Sequence, residues 1–274
     1  MQENSKSNSF IIMKYSVFFR YSYTLIILGI IWHIGAIYFG EFILPKPLNV
    51  LNYMFSFLQT KEYWIHAFSS FYRVIIALCI AFSIGFPLGM YMGYKKKFDI
   101  CFSPFVFLTY PIPKIVFLPL FFMLLGIGDV SRILLISLTV LYQILVVTRA
   151  SVLSIDKKYF DSFKSLLPIY EENNKKRKHF RKEKLFHLLI PASLPSALTA
   201  LKIASGTAIA VLFMAESFAT QEGLGFLIMD SWGRGDTLPM FSGILSLCFF
   251  GIFLYEFCNL LEHYFCKWTF VLTK

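Results

Sequence analysis

Six ionisable residues lie inside or beside long apolar stretches of this chain: Arg73, Lys114, Arg149, Lys202, Glu216 and Glu256. A charge at membrane depth is costly, so it is kept where it pairs, relays ions or meets a substrate. Four cations against two anions suit an anionic solute. A second reading stays open, in which Arg73 and Arg149 snorkel from span ends and Lys202 pairs with Glu216 or Glu256. No catalytic or metal-ligating constellation accompanies these charges. The histidines His33, His66, His179, His187 and His263 form no HExxH-type pair, so neither a catalytic residue nor a metal site is expected. The chain contains no Gly-Lys dipeptide, which excludes a Walker A phosphate loop, and no GxSxG elbow. Any energy source must then be another subunit or an ion gradient.

The elements that hold these groups follow from composition. With 57% hydrophobic and 19% aromatic residues, only 15% charged, and a mean hydropathy of +0.64, the 274-residue chain has more apolar surface than a soluble core could hide. A membrane helix needs about 20 apolar residues, because in hydrocarbon each backbone polar group must pair within its own segment. Six stretches qualify: 21–39, 71–94, one within 101–125, 132–153, 192–215 and 238–261. The third contains Pro104, Pro111, Pro113 and Pro119 with Lys114 among them, which predicts a kinked or broken span. The fold class is an all-α polytopic membrane protein with six transmembrane helices. Residues 1–20 read as a cytoplasmic tail, 21–264 as the membrane domain and 265–274 as a second tail. The first span is too long for a signal h-region and is expected to stay as an anchor.

Basic residues favour the cytoplasmic side of short loops. With the N-terminus inside, the inner segments hold Lys6, Lys14, Arg20, Lys95, Lys96, Lys97, the ten cations of the 154–187 loop, Lys267 and Lys274. The outer segments hold only Lys46, Lys61, Arg132 and Arg234. Both termini are therefore expected in the cytoplasm. The net charge of +10 reflects this topology and contact with anionic lipid, not a nucleic-acid surface. Cys79, Cys101, Cys248, Cys258 and Cys266 occur singly and read as packing residues.

Small residues repeat at four-residue spacing, Gly85, Gly89 and Gly93 in the second span and Ala200, Ala204 and Ala208 in the fifth. Such seams let helices approach closely where hydrophobicity cannot drive association, either as static packing or as surfaces that rock during transport. Gly223, Leu224 and Gly225 form a turn ahead of an amphipathic segment ending at Trp232, an interfacial anchor.

Taken in order, LPKPLNV at 44–50, SFYRV at 70–74, PIPKIVFLPLFFMLLGIGDVSRILL at 111–135, IPASLPSALTALKIASG at 190–206 and AESFATQEGLGFLI at 215–228 carry a resemblance. The chain resembles the inner-membrane permeases of bacterial ABC importers, in the nitrate, sulfonate and taurine group that also handles vitamin precursors. The resemblance implies a type I importer fold in the bacterial inner membrane. Its implied partners are a second copy in a homodimer, two cytoplasmic ATPase subunits that hold ATP and Mg, and an extracytoplasmic binding protein. No cofactor is expected in this chain itself. The family's loop of pattern EAA, then Gly, docks in the ATPase and would lie at about 154–187. Its ending is intact at Leu189, Ile190 and Pro191, whereas Asp161, Ser162 and Phe163 replace Glu-Ala-Ala. Leu166 matches, and Leu167 with Pro168 replaces the glycine before a basic insertion. The resemblance thus assigns Asp161, Ser162, Phe163, Leu166, Leu167, Ile190 and Pro191 to ATPase coupling. It places Lys202 and Glu216 on the span that lines the translocation path, where Lys114 is a further candidate, and the Gly223 and Gly225 turn at the outer gate. A self-contained secondary transporter or channel is the alternative, but the inverted symmetry it predicts is not visible.

Overall fold

The computed structural model describes residues 22–165 and 183–271. Their regular structure is helical throughout: α1 Ser22–Phe39, α2 Pro47–Phe57, α3 Lys61–Tyr94, α4 Lys96–Thr109, a 3-10 turn Lys114–Phe117, α5 Leu118–Leu125, α6 Asp129–Leu153 and α7 Lys157–Ser165. After the undescribed stretch come a π turn Leu185–Leu189, α8 Ile190–Glu216, α9 Leu224–Arg234, α10 Thr237–Phe265 and α11 Lys267–Val271. Among the described residues five helices are long and apolar enough to cross a membrane, and α4 with the 3-10 turn and α5, bent by 84°, makes a sixth if the pair counts as one broken span. This is the all-α, polytopic architecture that hydropathy predicts, with five to six candidate spans.

Contacts divide the chain into two units. The first joins residues up to 64 with 227–244. In it the Trp32 indole donates to the Pro45 carbonyl at 3.1 Å and its ring lies 6.0 Å from Phe241, which fixes the chain reversal after α1. Gly235, at φ +76°, closes α9, and the Asp236 N–H bonds the Ser231 carbonyl behind it.

The second unit, 65–226 with 245–274, holds most of the charged groups at depth. Here α3 and α6 run parallel, with Gly85 against Leu141, Gly89 against Leu145 and Gly93 against Arg149 and Val152. A Cβ on Gly93 would stand 2.8 Å from the Arg149 carbonyl, so only glycine permits this approach. The glycine seam is a packing surface. Ala200, Ala204 and Ala208 are likewise buried on α8.

Two irregularities have local causes. Pro111 and Pro113 supply no N–H, so the Phe107 and Thr109 carbonyls lose the bonds from four residues on, and Thr109 accepts instead from the Ile112 N–H at 3.2 Å. The Lys114 ammonium also reaches back to the Thr109 carbonyl at 2.5 Å and to that of Tyr110, just past α4, at 2.8 Å. Ahead of α8, Pro191 cannot bond four residues back, and the Ile190 N–H instead bonds Leu185 five residues back.

The helices exceed several expected limits. α3 begins at Lys61 rather than at 71, because the polar side chains of its first turns are bonded and need no water. Arg73 therefore lies about 18 Å along a helix of 1.5 Å rise per residue and does not snorkel from a span end.

The seam predicts opposite outcomes for two glycine substitutions. Gly89→Ala, facing the Leu145 carbonyl and Thr148, should destabilise the detergent-purified protein by about 1–3 kcal/mol through overpacking. Gly206→Ala has open space for its methyl and should be neutral or gain up to about 1 kcal/mol of helix propensity. Thermal unfolding of the two variants side by side checks this.

Candidate functional site

A carboxylate with no exposed surface, Glu216 at the end of α8, organises one end of the second unit. The Arg73 guanidinium donates to it through Nη1 at 2.7 Å, and Ser70 Oγ donates to Oε2 at 2.7 Å. The Gly225 N–H approaches the same oxygen at 3.0 Å. Burying a charge is tolerated only when its partners are close and its lone pairs are filled, and here both conditions hold. Arg73 is itself 3% exposed and spends its other donors on Asp129 at 2.7 Å and the Glu222 carbonyl at 2.9 Å.

The 217–225 turn wraps around this pair. Ser70 Oγ accepts from Leu224 N–H at 2.8 Å, His66 Nδ1 accepts from Gly223 N–H at 3.2 Å, and Ser69 Oγ donates to Glu222 at 2.9 Å. Arg132, from the first turn of α6, donates to the carbonyls of Ala215, Phe218 and Ala219. Ala219 has φ +52°, an uncommon conformation for a residue with a Cβ, which the Arg132 bond helps to hold. Gly223 has φ +124°, and a Cβ on Gly225 would sit 2.7 Å from Glu216 Cβ, so both glycines are required for the turn to close on the carboxylate. One residue cluster thus ties α3, the start of α6 and the end of α8 together.

The other expected ion pairs are corrected. Lys202 pairs with Glu262 at 2.8 Å, not with Glu216 or Glu256. Fourteen residues separate Lys202 from Glu216 along one helix, about 21 Å at 1.5 Å per residue. Arg149 does not snorkel, since it binds Asp99 through two bonds of 2.6 and 2.7 Å. Lys114 lies at the break of the bent span, 8% exposed, with its ammonium 4.3 Å from the Tyr142 ring centre.

At the opposite helix ends, α7 carries Asp161, Ser162 and Phe163, with the first two exposed. A cavity of about 390 Å³ opens beside it, lined by Gly93, Tyr94, Val152, Phe160, Asp161 and Lys184 among others. The Lys184 ammonium lies 4.6 Å from the Phe160 ring and 4.9 Å from that of Tyr94. Ile190 and Pro191 open α8. Leu166 and Leu167 lie outside the described residues.

Sequence reasoning did not single out Ser70, Asp129, Arg132 or Glu222. Their signal is the i,i+3 spacing of Ser70 with Arg73 and of Asp129 with Arg132 at the edge of apolar runs.

Residues 85–166 match the family described as binding-protein-dependent transport system inner membrane component. A protein of Bacillus subtilis assigned as an aliphatic sulfonates transport permease is 25% identical over 82% of this chain and 78% of its own. The taurine transport system permease of Escherichia coli is 27% identical over 75% and 73%. A protein of Methanocaldococcus jannaschii assigned as an ABC transporter permease is 30% identical over 74% of each chain. The chain belongs to the inner-membrane permeases of binding-protein-dependent ABC transport systems. It is a multi-pass membrane subunit of an importer, in a family whose members work with ATPase subunits and a binding protein.

The cluster predicts a pattern that a surface ion pair would not give. Arg73→Met leaves the Glu216 carboxylate buried without its cation and should cost about 3–5 kcal/mol, whereas the double variant Arg73→Met/Glu216→Leu should recover much of the loss. A double-variant melting point as low as that of the single variant would rule out the pairing.

Proposed function

We propose that two copies of this chain form the translocation path of an importer driven by Mg and ATP held on partner ATPase subunits, and that the chain itself has no nucleotide site or enzymatic activity. The observation that carries this reading is the similarity to transport permeases along about three quarters of the chain or more. The lack of any Gly-Lys phosphate-loop signature in the sequence supports the division of labour. The solute class is a small anion or zwitterion of the sulfonate, taurine or nitrate kind, or a vitamin precursor, delivered by an extracytoplasmic binding protein. Relatives named for the transport of sulfonates, taurine, nitrate and a formylaminopyrimidine support that range as a whole.

The Lys/Arg bias supports an orientation with both termini in the cytoplasm. That orientation turns α7 toward the ATPase and the Arg73–Glu216 cluster toward the outside. Asp161, Ser162 and Phe163 on α7, with Leu166, Leu167, Ile190 and Pro191, then receive the stroke of the motor. α6 leads into α7 and α8 follows the π turn, and the two helices pack along their lengths, as Gln143 with Thr207 and Arg132 with Ala215 show. A displacement at the inner end is carried about 35–40 Å along these rods to Asp129, Arg132 and Glu216. Gly223 and Gly225 form the hinge of the outer gate, and Glu216 acts as its latch inside the wall. Lys114 and Lys202 add positive charge beside the path, tempered by their carbonyl and Glu262 partners.

Purifying the tagged chain gently from the membrane and weighing the intact complex should give two copies of the chain with two ATPase subunits. Recovery of the chain alone, with solute uptake by vesicles containing nothing else, would point to the secondary-transporter reading. Within the complex, Asp161→Arg with Leu166→Asp should leave ATP hydrolysis measurable while cutting uptake at least tenfold. Undiminished uptake would show that α7 is not the coupling element.

A further inference from the structure

We propose that the side-chain amide of Gln143 contacts the transported solute at mid-membrane depth, as an uncharged hydrogen-bonding group on the wall of the path. The inference rests on the permease reading above. Gln143 is the fifteenth residue of the 25-residue helix α6. At 1.5 Å per residue it lies about 21 Å from the Asp129 end and about 15 Å from the Leu153 end. That is near the centre of a hydrocarbon layer about 30 Å thick.

A primary amide offers two N–H donors and a carbonyl acceptor. Gln143 spends one donor, from Nε2 to Thr207 Oγ1 at 3.2 Å, and this is its single side-chain hydrogen bond among the described residues. Its carbonyl oxygen is not enclosed either, since among the described residues the buried side-chain atoms lacking partners are Thr148 Oγ1 and Ser231 Oγ. A donor and an acceptor therefore remain open at a depth where lipid satisfies neither.

The neighbouring surface has room for a ligand. Next to Thr207, α8 turns an exposed face of Ile203, Gly206, Ala210 and Met214 outward, at helical spacing. Nothing stands within 4 Å of where a Gly206 side chain would begin. Gly206 and Ala210 thus leave open space on the helix face beside the amide. The open N–H suits an oxyanion or carbonyl oxygen, and the open carbonyl suits an ammonium, amide or hydroxyl donor. The amide thus fits a compact solute that presents both kinds of group, and it binds without the strong grip of a buried ion pair. Transport needs that moderation, because a solute held too tightly does not leave.

The test uses the complete complex in vesicles, with a cysteine-depleted chain carrying Gln143→Cys and, as a control, Phe249→Cys on the exposed apolar face of α10. The probe is a water-soluble, sulfonate-bearing thiosulfonate. Gln143→Cys should react at least tenfold faster than Phe249→Cys, and its rate should change at least fivefold when the ATPases are trapped with ATP. A rate equal to that of the control, or one indifferent to nucleotide, overturns the proposal. Gln143→Leu should assemble like the wild type and cut the uptake of whichever of taurine, an alkanesulfonate or nitrate the wild type imports by at least tenfold. Dissociation of that variant would assign the amide to contact between copies and overturn the proposal, as would unchanged uptake. A wild-type complex lacking ATPase and binding protein would instead refute the permease reading, whatever the labelling shows.

Discussion

The contact between Arg73 and Glu216 constrains everything around it. Both charges are removed from water, so every remaining donor and lone pair must find a partner nearby. Asp129 at the start of α6, Ser70 on α3, and the Gly225 N–H and Glu222 carbonyl of the 217–225 turn fill those places. The pair therefore fixes the start of α6 against the middle of α3, and the turn after α8 against both. Arg132 extends the same arrangement by holding three carbonyls of that turn.

A lock of this kind suits a gate because it has discrete states. Ion pairs in a dry site do not stretch gradually; they either keep their geometry or exchange partners. On the proposed mechanism, the glycine seam between α3 and α6 and the long packing of α6 on α8 are what would deliver a push to that lock. The bent fourth-to-fifth helix segment behaves differently. Its prolines interrupt the helical bonds at the end of α4, and the Lys114 ammonium binds the Thr109 and Tyr110 carbonyls there, so that charge is partly committed to backbone.

Much of this was legible in the sequence, and for a simple reason. Hydropathy reports burial in lipid directly, so the five long apolar helices and the break at Pro111 and Pro113 in the bent segment follow from the residues alone. The glycine spacing at 85, 89 and 93 likewise announced a close approach, although not its partner. Pairing of charges was less legible. Arg73 and Glu216 are 143 residues apart and Arg73 and Asp129 are 56 apart, and which of them meet depends on helix register that no local pattern encodes. Lys202 went to Glu262 for the same reason. The span expected from 71 leaves out the first turns of α3, where His66, Ser69 and Ser70 find their partners on the 217–225 turn.

The central claim is mechanical: a stroke received at α7 reaches the Arg73–Glu216 lock through α6 and α8. It is tested most directly by spin labels at Phe218→Cys in both copies of the assembled complex, with their separation measured by pulsed electron resonance with and without trapped ATP. The account predicts that ATP shifts the separation and that Asp161→Arg with Leu166→Asp abolishes the shift. A separation that stays fixed while the same vesicles import solute would contradict it.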